Sequence, residues 1–261
     1  MAEHQEFYRR ARWYDIVFRR DVARDLDFLT RVYRRRRGGE PASMLDLAAG
    51  PGYHAHGFAS RGLRAVALDL RPEMMELGAE RAREAGLEIE WRAEDMRDFD
   101  LGRPVDLAVC LFDGLDALLT NEDLVRHLRA VAANLTPGGL YVIDVTHLRD
   151  SGYQGYGAFR YEGRRDGTHV VVDWAVNDPL PDPATGVCET EIRITVEENG
   201  ERAVLRDTAR ERVLTPQEIE LLAALSGRFE TLGWYGDFDP DLPLDAGPAS
   251  RRMIGVLEKT T

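Results

Sequence analysis

The chain has 261 residues, with 46 acidic and 34 basic side chains, a formal charge of −12 and a pI near 5.0. That length suits one large α/β domain or a core with a small subdomain, and a composition of 44% hydrophobic and 31% charged residues excludes disorder and coiled coil. The acidic balance argues against nucleic acid as a partner. The longest apolar run, Leu107 to Phe112, is far short of a membrane span, and the N-terminus lacks a signal-peptide layout, so no membrane association and a cytoplasmic location are expected.

Residues 3–37 read as helix, with Phe7, Trp13, Tyr14, Ile16, Val17, Val22, Leu26, Leu29 and Val32 at mixed helical spacing. The arginines at 34–37 read as a solvated helix end, where cations are favoured by the carbonyl dipoles. Gly38-Gly39-Glu40-Pro41 breaks the segment. Strands and helices then alternate. The spacing predicts short buried strands at 44–48, 65–69, 87–91, 105–112 and 140–145. Helices are predicted from Gly52 to about Arg61, from Pro72 to Gly86, and from Asn121 to Leu135. Thr136-Pro137-Gly138-Gly139 is expected to close the last of these. Five strands with intervening helices predict a Rossmann-like, doubly wound parallel sheet.

After residue 150 the rhythm changes. Asp166-Gly167 and Asn199-Gly200 each sit between alternating apolar runs, which predicts two hairpins and an antiparallel meander. Thr215-Pro216-Gln217-Glu218 matches a capping box that opens a helix to about Ser226. Closing strands are expected at 229–238 and 253–257, around an acidic, proline-rich loop. The expected organisation is an N-terminal helical cover (1–39), a core (40–150 and 215–261) and an inserted antiparallel β lid (151–214). An exposed edge of the meander could pair two protomers into a homodimer.

Cys110 and Cys188 have no metal-ligand spacing, and Cys110 reads as a packed thiol. His54 and His56 cannot share a helix face, so no metal site is expected. Lys259 is the only lysine. A P-loop and a Schiff-base lysine are both excluded by its position at the chain end.

The turn Asp46-Leu47-Ala48-Ala49-Gly50-Pro51-Gly52 follows the first strand and opens a helix, and its glycines let backbone approach a ligand. Asp69 ends the second strand, where a carboxylate can hold both ribose hydroxyls. Asp95 and Met96 follow the third, where an adenine edge and face could rest. Gly50-Pro51-Gly52-Tyr53-His54-Ala55 also matches the dinucleotide fingerprint, so an NAD(P)-dependent Rossmann oxidoreductase is an alternative. Against it, Asp46 would put a carboxylate beside a pyrophosphate, whereas a sulfonium and an α-amino group favour negative charge.

Four segments together resemble the class I S-adenosylmethionine-dependent methyltransferases. They are Leu45 to Gly52, Leu68 to Met74, Glu94 to Phe99, and Leu135 to Leu140. The resemblance points to the small-molecule branch, similar to glycine and amino-sugar N-methyltransferases, and covers 40–146 closely. It implies a seven-stranded sheet with an antiparallel last strand and S-adenosyl-L-methionine as cofactor. It implies further that Asp46, Ala48, Gly50 and Gly52 line the methionine end, Asp69 and Leu70 the ribose side, and Asp95 and Met96 the adenine. Ala48 stands where many members carry glycine. Tyr14 and Asp15 look like the Tyr-Asp pair that closes over the cofactor in many small-molecule members.

Ligands in open α/β sheets lie beyond the carboxyl ends of the strands. Phe112 and Asp113 after strand four, and Thr146 and His147 after strand five, collect at that edge. Phe112 is expected beside the cofactor. His147 is the candidate general base, because an imidazole titrates near neutrality, and Asp113 could orient a cationic amine or take its proton. The expected activity is methyl transfer to N or O of a small-molecule acceptor under the cover of the lid. A non-catalytic S-adenosylmethionine-binding protein is the remaining alternative.

Overall fold

The computed structural model describes residues 6–147 and 159–260. Residues 3–5 of the expected first helix and 151–158 of the expected insertion lie outside the described residues. The chain divides into two compact units, Met1–Arg20 with Leu148–Val213 and Asp21–His147 with Leu214–Thr261.

The larger unit is a seven-stranded sheet. Its strands are β1 (Ser43–Leu47), β2 (Arg64–Asp69), β3 (Ile89–Ala93), β4 (Val105–Cys110), β5 (Leu135–Val145), β10 (Phe229–Tyr235) and β11 (Met253–Lys259). Their order is β10-β11-β5-β4-β1-β2-β3. β1 to β5 pair in parallel, and β11 runs antiparallel to both β5 and β10, as the resemblance implied. β1 and most of β4 are buried throughout, the mark of parallel strands covered on both faces. The helices are α3 (Ala23–Arg37), α4 (Tyr53–Ser60), α5 (Pro72–Glu84), α6 (Asn121–Ala133) and α7 (Pro216–Ser226). Thr120 and Thr215 cap α6 and α7 by accepting the amides of Asp123 and Glu218 at 3.1 and 3.2 Å.

The smaller unit holds α1 (Glu6–Arg9), α2 (Ala11–Phe18) and a four-stranded antiparallel meander, β6 (Phe159–Arg165), β7 (Thr168–Trp174), β8 (Val187–Glu198) and β9 (Glu201–Arg212). Both hairpin turns sit where Asp166-Gly167 and Asn199-Gly200 predict them, with positive φ at all four residues, as type I′ turns require. α2 packs closely on β6. A Cβ on Gly163 would lie 2.0 Å from the Ile16 carbonyl oxygen, and the buried carboxylate of Asp15 pairs with Arg165.

Several expectations are corrected. The single helix over 3–37 is three helices. Arg19 is extended (φ −62°, ψ 122°) with no glycine or proline to announce the break. The buried residues on either side serve different units: Phe7, Ala11 and Phe18 one, Leu26, Phe28, Leu29 and Val32 the other. The division into units falls after Arg20, which puts α3 in the same unit as the sheet. β5 begins at Leu135, which pairs with Val105, so the Thr-Pro-Gly-Gly segment lies within the strand. β4 ends at Cys110 because Phe112 and Asp113 both turn left-handed, at φ 59° and 65°. The arginines closing α3 are not simply solvated. Arg34 pairs with Glu40, Arg35 with Asp241 and Arg36 with Glu258, which ties the acidic loop and β11 to the helix end.

Candidate cofactor and methyl-transfer site

β1 delivers the chain into a turn with positive φ at Ala48 (51°), Gly50 (55°) and Gly52 (71°). Alanine therefore occupies a left-handed position, the physical reason glycine suits it better. At Gly52 the missing side chain has a second use. A Cβ there would meet the Trp91 ring at 2.7 Å, and one on Gly78 would meet it at 2.3 Å. The indole is wedged between the turn and α5, so part of this glycine pattern serves packing.

The carboxylates around the turn are held in place. Asp46 is buried and accepts the amide of Ala55 at 3.2 Å, which anchors the first turn of α4 to β1. Asp69 accepts the Gly50 and Arg71 amides, each at 2.8 Å. Burial pushes the Asp69 carboxyl above its usual range, against those hydrogen bonds. Leu70 beside it is 57% exposed, an apolar surface open to a ligand. Asp95 is gripped by the Arg97 guanidinium, which also reaches Asp123 on α6 at 2.8 Å, and the grip holds the Asp95 carboxyl below its usual range. The Met96 carbonyl lies 2.9 Å from Nδ1 of His127.

At the far end of the turn stands the corner after β4. A Cβ on Gly114 would lie 2.7 Å from Cβ of Ala48, so this corner abuts the turn directly. The Phe112 amide donates to Oδ2 of Asp144 at 3.0 Å, and the Asp113 amide donates to the Asp144 carbonyl oxygen at 3.3 Å. Asp144, fully buried in β5, is in turn held by both Nε and Nη2 of Arg252. His147 follows β5 and is half-buried. Tyr14 lies in the smaller unit, among the rings of Phe7, Tyr8 and Phe18 at 4.7–5.8 Å.

The structure thus gathers Asp46, Ala48, Gly50, Gly52, Asp69, Leu70, Asp95, Met96, Phe112 and Asp113 along the carboxyl edge of one sheet. Sequence reading missed Asp144, Arg252 and His127. A lone carboxylate in the apolar run Val142-Ile143-Asp144-Val145 was the available signal for the first. His54 is buried and lies 3.0 Å from Asp25, while His56 lies 3.1 Å from the Gly78 carbonyl. These residues fit S-adenosylmethionine: a left-handed turn, carboxylates for cationic and hydroxyl groups, and an open apolar face beside Asp69.

Residues 44–139 match a family described as a methyltransferase domain. This stretch of the chain carries a methyltransferase domain. An S-adenosylmethionine-dependent methyltransferase from Clostridium acetobutylicum superposes with a TM-score of 0.78 at 18% identity, over 98% of this chain and 99% of that one. The sugar N-methyltransferase KedS8 from Streptoalloteichus superposes at 0.75 with 22% identity, over 100% and 94%. These two likenesses concern the fold of the methyltransferase domain and its additions. In sequence, the chain is 35% identical over 133 residues to the dTDP-4-amino-2,3,4,6-tetradeoxy-D-glucose N,N-dimethyltransferase of Saccharopolyspora spinosa, covering 50% of this chain and 52% of the relative. Across the curated sugar N,N-dimethyltransferases it matches, the chain spans 52% to 65% of their length.

Proposed function

We propose that the protein transfers a methyl group from S-adenosyl-L-methionine to the nitrogen of a small amino-sugar acceptor. One observation carries the reading: β1, β2 and β4 deliver Asp46, Asp69 and Asp113 at or just beyond their C-terminal ends, whereas Asp95 and Asp144 are held by arginines. Such an edge favours a sulfonium, an α-amino group and a protonated amine, and repels a pyrophosphate at the turn. The named activity of the sugar N,N-dimethyltransferase relatives supports the acceptor class.

When bound, the cofactor supplies a methyl group already activated on sulfur. The chain's own residues then bind and align. Asp69 accepts the ribose hydroxyls with Leu70 beside it, Asp95 meets the adenine edge, and Met96 supports the adenine face. Asp46 and the 48–52 turn take the methionine end. The Phe112–Asp113 corner, set against Ala48, orients the amine, and Asp113 or His147 takes its proton. Alignment of this kind can lower a barrier by about 7–11 kcal/mol, and a base adds about 10²–10⁴-fold. A cytoplasmic location and pairing of two protomers through a free edge of the meander are further parts of the proposal, the second read by sedimentation.

The test is calorimetry with S-adenosylmethionine, S-adenosylhomocysteine and NAD, followed by a turnover screen with labelled cofactor over amino sugars, simple amines, hydroxyls and carboxylates. Binding of the first two and label on an amino sugar are expected. NAD binding without S-adenosylmethionine binding overturns the reading, and binding without turnover on any acceptor reduces it to a non-catalytic cofactor-binding protein.

A further inference from the structure

Phe112 and Asp113 are consecutive non-glycine residues in the left-handed region, and Gly114, which follows them, abuts Ala48 of the turn. Side chains disfavour that conformation, so the surrounding structure must over-determine it. Asp144 supplies two of the restraints, one from its carboxylate to the Phe112 amide and one from its carbonyl to the Asp113 amide. A fully buried carboxylate is costly unless it is paired and hydrogen-bonded, and Arg252, 108 positions later in the chain, grips both its oxygens. Arg252 is itself steered from two sides. Its amide donates to the Gly236 carbonyl at 2.8 Å, and its guanidinium lies 5.4 Å from the centre of the Phe238 ring, which packs edge-on against Phe28. The planar fork leaves little freedom in how Asp144 is presented.

We propose that Arg252 and Asp144 are positioning residues for methyl transfer: the bidentate pair holds the Phe112–Asp113 corner in its left-handed form, and so fixes where the acceptor nitrogen and its proton acceptor stand relative to the turn. The inference rests on the methyl-transfer reading for its kinetic consequence, but not for its structural one. Arg252 touches neither reacting atom; it acts through Asp144 and the amides of the corner. Lysine cannot replace it, because a single ammonium cannot hold both carboxylate oxygens in one plane.

The experiment compares wild type with Arg252→Ala, Arg252→Lys and Asp144→Asn. In the ligand-free protein, amide exchange at Phe112 and Asp113 is expected to speed up about tenfold or more in each variant, while amides of β1 and β4 keep their protection. With an accepted amine, kcat is expected to fall about tenfold or more with acceptor KM changed less than about threefold. Millimolar guanidinium should restore part of the kcat of Arg252→Ala and none of that of Asp144→Asn. A merely structural role would instead raise exchange throughout the sheet and show no rescue. Unchanged exchange at Phe112 in Arg252→Ala, or in Arg252→Lys if the alanine variant does not fold, overturns the proposal. If wild type transfers no methyl group, the functional reading fails, and the exchange data alone decide whether the pair sets the corner.

Discussion

Nε2 of His127 lies 2.7 Å from the hydroxyl of Tyr141, and what His127 meets on its other side fixes the direction of that bond. The Met96 carbonyl can only accept, so Nδ1 of His127 carries the proton and Nε2 accepts from Tyr141. A directed chain thus runs from Tyr141 on β5 to His127 on α6, and ends on the carbonyl beside Asp95. Both side chains are buried.

Burial keeps the imidazole of His127 neutral and pushes its pKa down to about 4. The unfolded chain binds that proton near pH 6.5, and the native state only near 4. The unfolded state is therefore favoured progressively as pH falls from 6.5 to 4, by up to about 3 kcal/mol. Denaturant unfolding at pH 7 and pH 4.5 should show this loss in wild type. His127→Gln, whose amide can both donate to Met96 and accept from Tyr141, should show less of it.

Both thiols should be inert. Burial raises the pKa of Cys110 strongly, and that of Cys188 to about 11. Because the thiolate is the reactive form, alkylation at pH 8 should leave both cysteines unlabelled in the native protein and label both after unfolding. Rapid native labelling of Cys110, read by mass spectrometry, would contradict its burial in β4.

Asp69→Ala should weaken S-adenosylmethionine binding by about 1.5–3 kcal/mol, the loss of charge-assisted hydrogen bonds. Since burial raises the pKa of Asp69, the carboxylate proposed to accept the ribose hydroxyls is lost at a higher pH than an ordinary aspartate would be. Cofactor affinity, measured by calorimetry, should accordingly decline on acidification before ordinary carboxylates titrate. Asp69→Asn should flatten that decline.

His147→Ala should lower kcat about 10–10³-fold, leave cofactor affinity unchanged and remove one limb of the pH–rate profile. A variant with wild-type kcat across the profile would pass the proton to Asp113. If Asp113→Ala were silent too, no base would be needed and an uncharged amine would be the acceptor.

In the smaller unit, Gly163→Ala should destabilise by at least about 1–3 kcal/mol, because the added methyl group meets the Ile16 carbonyl at 2.0 Å. Asp15→Ala, which strips a buried carboxylate from Arg165, should act in the same direction. Thermal unfolding should show both losses. An unchanged Tm for Gly163→Ala would mean that α2 does not pack on β6 as closely as described.

What the sequence determined by itself was set by short-range spacing. Short buried apolar runs placed the five parallel strands, Asp166-Gly167 and Asn199-Gly200 placed the hairpins, and Thr215-Pro216 placed the start of α7. Each is a local backbone preference that few neighbours can override. The resemblance of the turn at 46–52 added the reversed last strand. Only the tertiary structure decided the rest, because the partners lie far apart in the chain. It divided the N-terminal helices between two units at Arg19, where no breaking residue marks the change. It paired the closing arginines of α3 with Asp241 and Glu258, and filled the space beside Gly52 and Gly78 with Trp91. It brought Arg252 to Asp144, and His127 to Met96 and Tyr141. A buried polar group must find its partner wherever the fold puts one, and periodicity along the chain carries no record of that choice.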